Sequence, residues 1–222
     1  MPPQVNRIQH RFLDLKPGNE VYSRSGEHSM DTAEIKRTLR RRMATTRDGL
    51  PETARDAGAT AAMERALTLP AFADADAVLT YMAIGSEVGT NGLISRILGA
   101  GKQLVLPRVC GDELMLHRIT DPATELVSGR WNIPEPKETL PTVSPADIGL
   151  FLLPGLAFDE AGGRLGYGRG FFDRILAQTG GITAGLAFGA QVIEAVPTEP
   201  WDVPLNFIVT PDRLIHCHRE MG

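Results

Sequence analysis

At 222 residues, with 42% hydrophobic and 23% charged residues, the chain has the length and composition of a folded protein of one domain, or of one domain with an extension, and its core needs no staples. A net charge of −4 and an isoelectric point near 5.8 exclude a global pull toward nucleic acid or anionic membrane, so any anion site must come from local clustering. Two cysteines, Cys110 and Cys217, lack metal-ligand spacing and fit a reducing compartment.

Residues 1–29 carry Pro, Gly and Ser, show no periodicity and are poor in apolar residues, which predicts a mobile N-terminal extension followed by a single domain over 30–222. The start lacks the apolar segment of a signal peptide, and Asp14, Glu20 and Glu27 argue against a transit peptide. No apolar run approaches the ~18 residues of a membrane span. The expectation is a soluble, cytoplasmic protein with neither a membrane nor a nucleic-acid partner.

From Asp31 the pattern becomes helical. Asp31 followed by Glu34 resembles a capping box, and Ile35, Leu39 and Met43 recur as one stripe. A second helix is predicted from Pro51 to Leu69, ended by Pro70. Strands and helices then alternate. Ala77–Ala83 is a buried strand, Thr90–Gly101 a short helix with Thr90 as its cap, and Gln103–Pro107 the next strand. Glu113–Ile119 alternates as a half-exposed strand, Ile148–Pro154 is fully apolar, Phe171 opens a helix, and Ile182–Phe188 and Asn206–Thr210 are further strands. The order predicts an α/β protein, three-layered, with a mostly parallel sheet. His216, Cys217 and His218 read as a C-terminal strand or tail in preference to a metal cluster, since consecutive residues on a strand face opposite sides.

The stretch "GGRLGYGRGFFDR", Gly162–Arg174, holds five glycines and three arginines directly after the apolar run. Parallel sheets bind ligands outside the carboxyl ends of their strands, where this stretch falls. Glycines let backbone N–H groups converge on a phosphate, and Arg164 and Arg169 supply charge, so the stretch reads as an anion loop; a tight structural turn is the alternative. It is neither a P-loop, because Arg169 and Gly170 stand where lysine and a hydroxyl belong, nor a dinucleotide fingerprint. Lys36 and Arg40, one helical turn apart, can present two cations to one triphosphate, although a solvated basic face has the same pattern.

Five motifs in order resemble one known family. They are "KRTLR" (Lys36–Arg40), "SEVGT" (Ser86–Thr90), "WNIPEP" (Trp131–Pro136), "LLPGLAFDEAGGRLGYGRGFFDR" (Leu152–Arg174) and "VPTEPWD" (Val196–Asp202). Together they are similar to the signatures of the 5-formyltetrahydrofolate cyclo-ligases, also called methenyltetrahydrofolate synthetases, over roughly Lys36–Asp212. The resemblance implies a fold like that of sugar-phosphate isomerases and CoA transferases, and a monomer that takes folate and ATP with Mg²⁺ to close a ring through a phosphorylated formyl group.

By the same resemblance, ATP is bound by Lys36, Arg37, Thr38, Leu39 and Arg40 together with Arg164, Leu165, Gly166, Tyr167, Gly168, Arg169, Gly170, Phe171 and Phe172, with Arg164 and Arg169 as catalytic cations. The folate is held by Met82, Glu87, Trp131, Tyr167 and Phe171, and the metal by Asp173 and Asp202. Carboxylates suit Mg²⁺, which takes one or two of them beside phosphate and water. Phe171 and Phe172 stand where the family has tyrosines, so ring faces are kept and hydroxyls lost. A paralogue using ATP on another formyl or carboxyl compound, and a nucleotide-binding regulator without turnover, are the alternatives.

Overall fold

The computed structural model of the chain describes residues 31–129 and 132–217. The predicted extension 1–29, and with it Trp131 and His218, lies outside the described residues.

Helix α1 (Thr32–Asp48) buries Lys36, Leu39, Met43 and Arg47, whereas Ile35 is 37% exposed. The stripe is therefore offset from the expected one, because two cations with distant partners take positions that composition assigns to the surface. Helix α2 (Glu52–Leu67) ends before Pro70, which does not terminate it but opens α3 (Pro70–Asp74), where a first-turn proline sacrifices no helical N–H. Strand β1 (Ala77–Leu79) is shorter than the apolar run suggests. After Thr80 bonds Val105 the chain leaves the ladder and turns into the loop that carries Glu87. Thr90 is the N-cap of α4 (Asn91–Gly99), its carbonyl accepting from the Ile94 N–H at 2.9 Å, but its hydroxyl makes no capping bond and donates instead to the Tyr81 carbonyl at 2.5 Å.

Strand β2 (Gln103–Cys110) outruns its expected end because β3 (Glu113–Ile119) pairs with it antiparallel as far as Cys110 opposite Glu113. A short helix, α5 (Pro122–Glu125), leads to a ribbon of β4 (Leu126–Ser128) and β5 (Pro134–Pro136), whose prolines hide any strand signal. Then come β6 (Leu150–Leu153), the hairpin β7 (Ala157–Phe158) and β8 (Arg164–Leu165), α6 (Phe171–Leu176), β9 (Ile182–Leu186), β10 (Phe207–Val209) and β11 (Leu214–His216).

Among the described residues the main sheet has seven strands in the order β11-β10-β9-β6-β1-β2-β3. β10, β9, β6, β1 and β2 run parallel, and β3 and β11 close the two edges antiparallel. Alternation decides what each face buries. Val78, Leu104, Leu106, Leu150 and Leu152 pack toward α2 and α4, while Leu79, Val105, Phe151, Leu153 and Ile208 pack toward Ile175 and Leu176 of α6. That makes three layers. The parallel central strands are apolar on both sides, as the unbroken run in β6 requires.

Successive strands are laid down in opposite directions from β1, with β2 on one side and β6 on the other. This reversal leaves a crevice at the carboxyl ends of β1 and β6, the position where such sheets bind ligands.

Candidate active site

The crevice is a cleft of about 510 Å³. The loop after β1 supplies Tyr81, Met82, Ile84 and Glu87, the end of β2 supplies Pro107 and Val109, and Pro154 follows β6. Opposite chain segments contribute Lys36 and Arg40 of α1, the glycine and arginine loop, and the Glu199–Asp202 segment.

The Gly162–Arg174 stretch divides into two parts. Gly162 and Gly163 belong to the turn of the β7-β8 hairpin, where Asp159 accepts from the N–H groups of Ala161 and Gly163 at 3.0 and 2.8 Å. A Cβ on Gly162 would lie 2.6 Å from the Leu205 carbonyl oxygen, so that glycine is there for packing. Arg164 and Leu165 are buried strand residues, not loop residues. The loop proper is Gly166–Gly170. Gly168 adopts φ 97° beneath the Arg40 guanidinium, whose Nε donates to the Gly166 carbonyl at 2.9 Å. Arg169 is exposed above Phe171, 5.8 Å from the ring centre.

Arg164 is already engaged. Its guanidinium pairs with Asp173 at 3.0 Å and lies 5.6 Å over the Phe172 ring, and its buried Nε has no hydrogen-bond partner among the described residues. Lys36 is likewise engaged, donating to Glu199 and Asp202 at 2.6 Å each. Burial lowers the Lys36 pKa, but the hydrogen bonds to Asp202 and Glu199 outweigh it and hold the amine above its usual value. Arg164 reaches one oxygen of Asp173, and a single oxygen of Asp202 accepts from both Lys36 and, at 2.8 Å, the Glu199 N–H. Each carboxylate thus keeps a second oxygen with no hydrogen bond or ion pair among the described residues, a donor set that fits a hard cation sharing its shell with phosphate and water. No group of three or more His, Cys, Asp or Glu side chains that could hold a metal ion by themselves exists among the described residues.

Glu87 is buried, and desolvation pushes its carboxyl pKa up, opposed by hydrogen bonds from Tyr167 and the Ile84 N–H and by the charge of Arg47. The Tyr167 hydroxyl donates to one oxygen, and Ile84 donates to the other at 2.9 Å. Tyr167 in turn accepts from Arg47 at 2.9 Å, and its own pKa is driven up by burial and by the Glu87 charge.

Of the residues singled out in the sequence, the structure gathers Lys36, Arg40, Met82, Glu87, Asp202 and the segment from Arg164 to Asp173 around one cleft. It does not bring Arg37, Thr38 or Leu39 there. Arg37 points outward and pairs with Glu34 at 3.0 Å, Thr38 is exposed, and Leu39 packs into a cluster with Met43, Leu156 and Val196. A run of five residues on a helix covers more than one face, so only its first and last members share the cleft side. Sequence reasoning missed Glu199, Trp201 and Arg47. Glu199 and Trp201 lie inside the "VPTEPWD" motif and line the cleft, Trp201 being 66% exposed. Arg47 gave no signal, since its partners lie 39 and 120 residues away.

A switch-point cleft that joins a buried carboxylate to a glycine and arginine loop defines an α/β enzyme. Residues 32–211 match the 5-formyltetrahydrofolate cyclo-ligase family, and the chain belongs to that family. It is 36% identical over 172 residues to the 5-formyltetrahydrofolate cyclo-ligase of Escherichia coli, covering 74% of this chain and 93% of that one. The enzyme of the same name from Haemophilus influenzae is 33% identical over 155 residues, covering 64% and 79%. The solved 5,10-methenyltetrahydrofolate synthetase of Aquifex aeolicus superposes with a TM-score of 0.76 at 33% identity, covering 85% of this chain and 95% of that chain.

Proposed function

We propose that the enzyme converts 5-formyltetrahydrofolate to 5,10-methenyltetrahydrofolate with cleavage of ATP to ADP and phosphate. The carrying observation is that the Gly166–Gly170 loop and the buried Glu87 carboxylate face one cleft, joined through Tyr167. An amide-like oxygen is a poor leaving group, so direct ring closure is slow. In the proposed route the formyl oxygen takes the terminal phosphoryl group of ATP and releases ADP. A neighbouring amine of the folate then attacks the formyl carbon, the oxygen departs with the phosphate, and loss of the amine proton leaves the cyclic amidinium.

Phosphoryl transfer asks the protein mainly for positioning and charge. Arg40 beside the loop and Arg169 within it offer cationic groups to the triphosphate, while Arg164 fixes Asp173 and Lys36 fixes Asp202. Those two aspartates are the residues that would hold Mg²⁺, which when bound would screen the charge of the transferring group. Glu87 offers a carboxylate to N–H groups of the folate, and Met82 and Phe171 offer apolar wall.

The test is oxygen transfer. With substrate labelled at the formyl oxygen, the label should appear in inorganic phosphate in step with product. Product formed with unlabelled phosphate would contradict the route.

A further inference from the structure

We infer that Arg47, which lies behind the cleft wall and lines no part of it, is a positioning residue that directs the Tyr167 hydroxyl hydrogen onto Glu87 and keeps that carboxylate ionised. Arg47 sits in the last turn of α1 with its side chain 7% exposed. Its Nε donates to Ser86 at 2.9 Å and its Nη1 to the Tyr167 oxygen at 2.9 Å. Ser86 passes its own hydrogen to Asp48, so the serine oxygen meets the arginine as an acceptor. The network therefore has one polarity.

A tyrosine hydroxyl has a single hydrogen to give. Because a cation that can only donate occupies the acceptor side of Tyr167, the hydrogen is committed to Glu87, which it reaches. Glu87 then accepts on both oxygens, from Tyr167 and from the Ile84 N–H, an arrangement suited to a carboxylate and not to a carboxylic acid. The charged and titratable groups that face Glu87 are Arg47 from α1, at 3.9 Å, Tyr167 from the glycine loop and Tyr81 beyond β1. Tyr81 spends its hydrogen on the Val88 carbonyl at 3.0 Å, so Arg47 supplies the positive charge among them. Burial alone drives Glu87 toward the neutral form, and a neutral acid offers folate N–H groups a weaker acceptor. The consequence for substrate rests on the function proposed above; the ionisation of Glu87 does not.

The experiment uses the full chain in two arms. In the first, carbon-13 labelled glutamate carboxyls are titrated by NMR without ligand, with Glu87 assigned by its absence in Glu87→Gln. Arg47→Met should raise the Glu87 midpoint by about one pH unit, the scale of one nearby opposite charge. Arg47→Lys should restore most of the shift, and Tyr167→Phe should raise the midpoint in the same direction, so the inference stays testable if Arg47→Met does not fold. An unmoved midpoint in these variants, with lowered thermal stability only, makes Arg47 structural and overturns the inference. In the second arm, the acid limb of kcat/KM for 5-formyltetrahydrofolate should move by the same amount, with KM for ATP unchanged. A limb that stays in place while the NMR midpoint moves removes the substrate consequence. A wild-type enzyme that does not turn over the folate overturns the proposed function and leaves the first arm to decide Arg47.

Discussion

The Lys36 ammonium donates to the Asp202 carboxylate at 2.6 Å, joining two residues 166 positions apart and tying the first helix to the loop that follows Val196. Glu199 accepts from the same ammonium at 2.6 Å, which makes one cation the counterion of two carboxylates at the edge of the cleft. The folded-state pKa of Lys36 lies above its usual 10.5, burial being outweighed by the hydrogen bonds to Asp202 and Glu199. Its stabilisation is therefore complete below about pH 10.5 and is lost as pH rises through the raised folded value. Lys36→Met should melt below the wild type near neutral pH, and the gap should close in alkali. A gap that is constant with pH contradicts the pairing.

Glu87 has the opposite sign of charge but the same direction of linkage. Its folded pKa is raised above 4.5, chiefly by burial, so its contribution to stability is full below about pH 4.5 and lost as pH rises through the folded value. Glu87→Gln removes that loss and keeps an acceptor for Tyr167. The amide also turns a donor toward the Ile84 N–H and leaves buried Arg47 without its carboxylate, so the variant should melt below the wild type at neutral pH, and it should bind folate about ten- to hundredfold more weakly, since a charged hydrogen bond is worth roughly 1.5–3 kcal/mol. Calorimetric titration with each ligand checks this. A loss of ATP affinity with folate affinity intact contradicts the assignment.

Asp173→Asn separates ion pairing from metal binding. Asparagine keeps the shape but leaves the buried Arg164 guanidinium without a counterion, and breaking a buried pair costs roughly 3–5 kcal/mol. A metal-holding role by itself entails damage to turnover; the Arg164 contact adds a drop in melting temperature. Turnover per folded molecule should also fall and should demand more Mg²⁺. Normal specific activity of the folded fraction at ordinary Mg²⁺ makes Asp173 purely structural.

How much of this could be read from the chain follows from the range of each interaction. The parallel core was legible because β6 is apolar on both faces and says so over four consecutive residues, Leu150–Leu153. The edge strand β3 was legible too, from its alternation over Glu113–Ile119, but the far end of β2 was not: β2 reaches Cys110 because β3 pairs with it, a fact held in the register and not in residues 108–110. The same holds at the site. Local motifs marked Glu87, Asp173 and Asp202, but only the fold shows that Lys36 reaches Asp202 or that Arg47 reaches Tyr167. The "KRTLR" motif assigned five residues to one role, and helical geometry splits them among cleft, solvent and core.

Gly168→Ala tests the loop. At φ 97° an added Cβ is strained whatever the space, and it would lie 3.3 Å from the Arg40 guanidinium carbon. ATP affinity should fall, measured by equilibrium binding, with the melting temperature lowered only slightly because the loop is exposed. Phe172→Tyr should be tolerated, since Phe172 lines the cleft and a new hydroxyl there can reach water or ligand. Normal ATP binding by the first variant together with a destabilised second one would make the loop a packed turn.

The most direct measurement is product formation: the rise of methenyltetrahydrofolate absorbance when purified full-length enzyme meets 5-formyltetrahydrofolate, ATP and Mg²⁺, with each component omitted in turn. The predicted result is growth of product only in the complete mixture, matched one to one by ADP and slowed about ten- to hundredfold by Glu87→Gln under subsaturating folate. ATP bound without any growth of product, or product formed equally well without ATP, would contradict it.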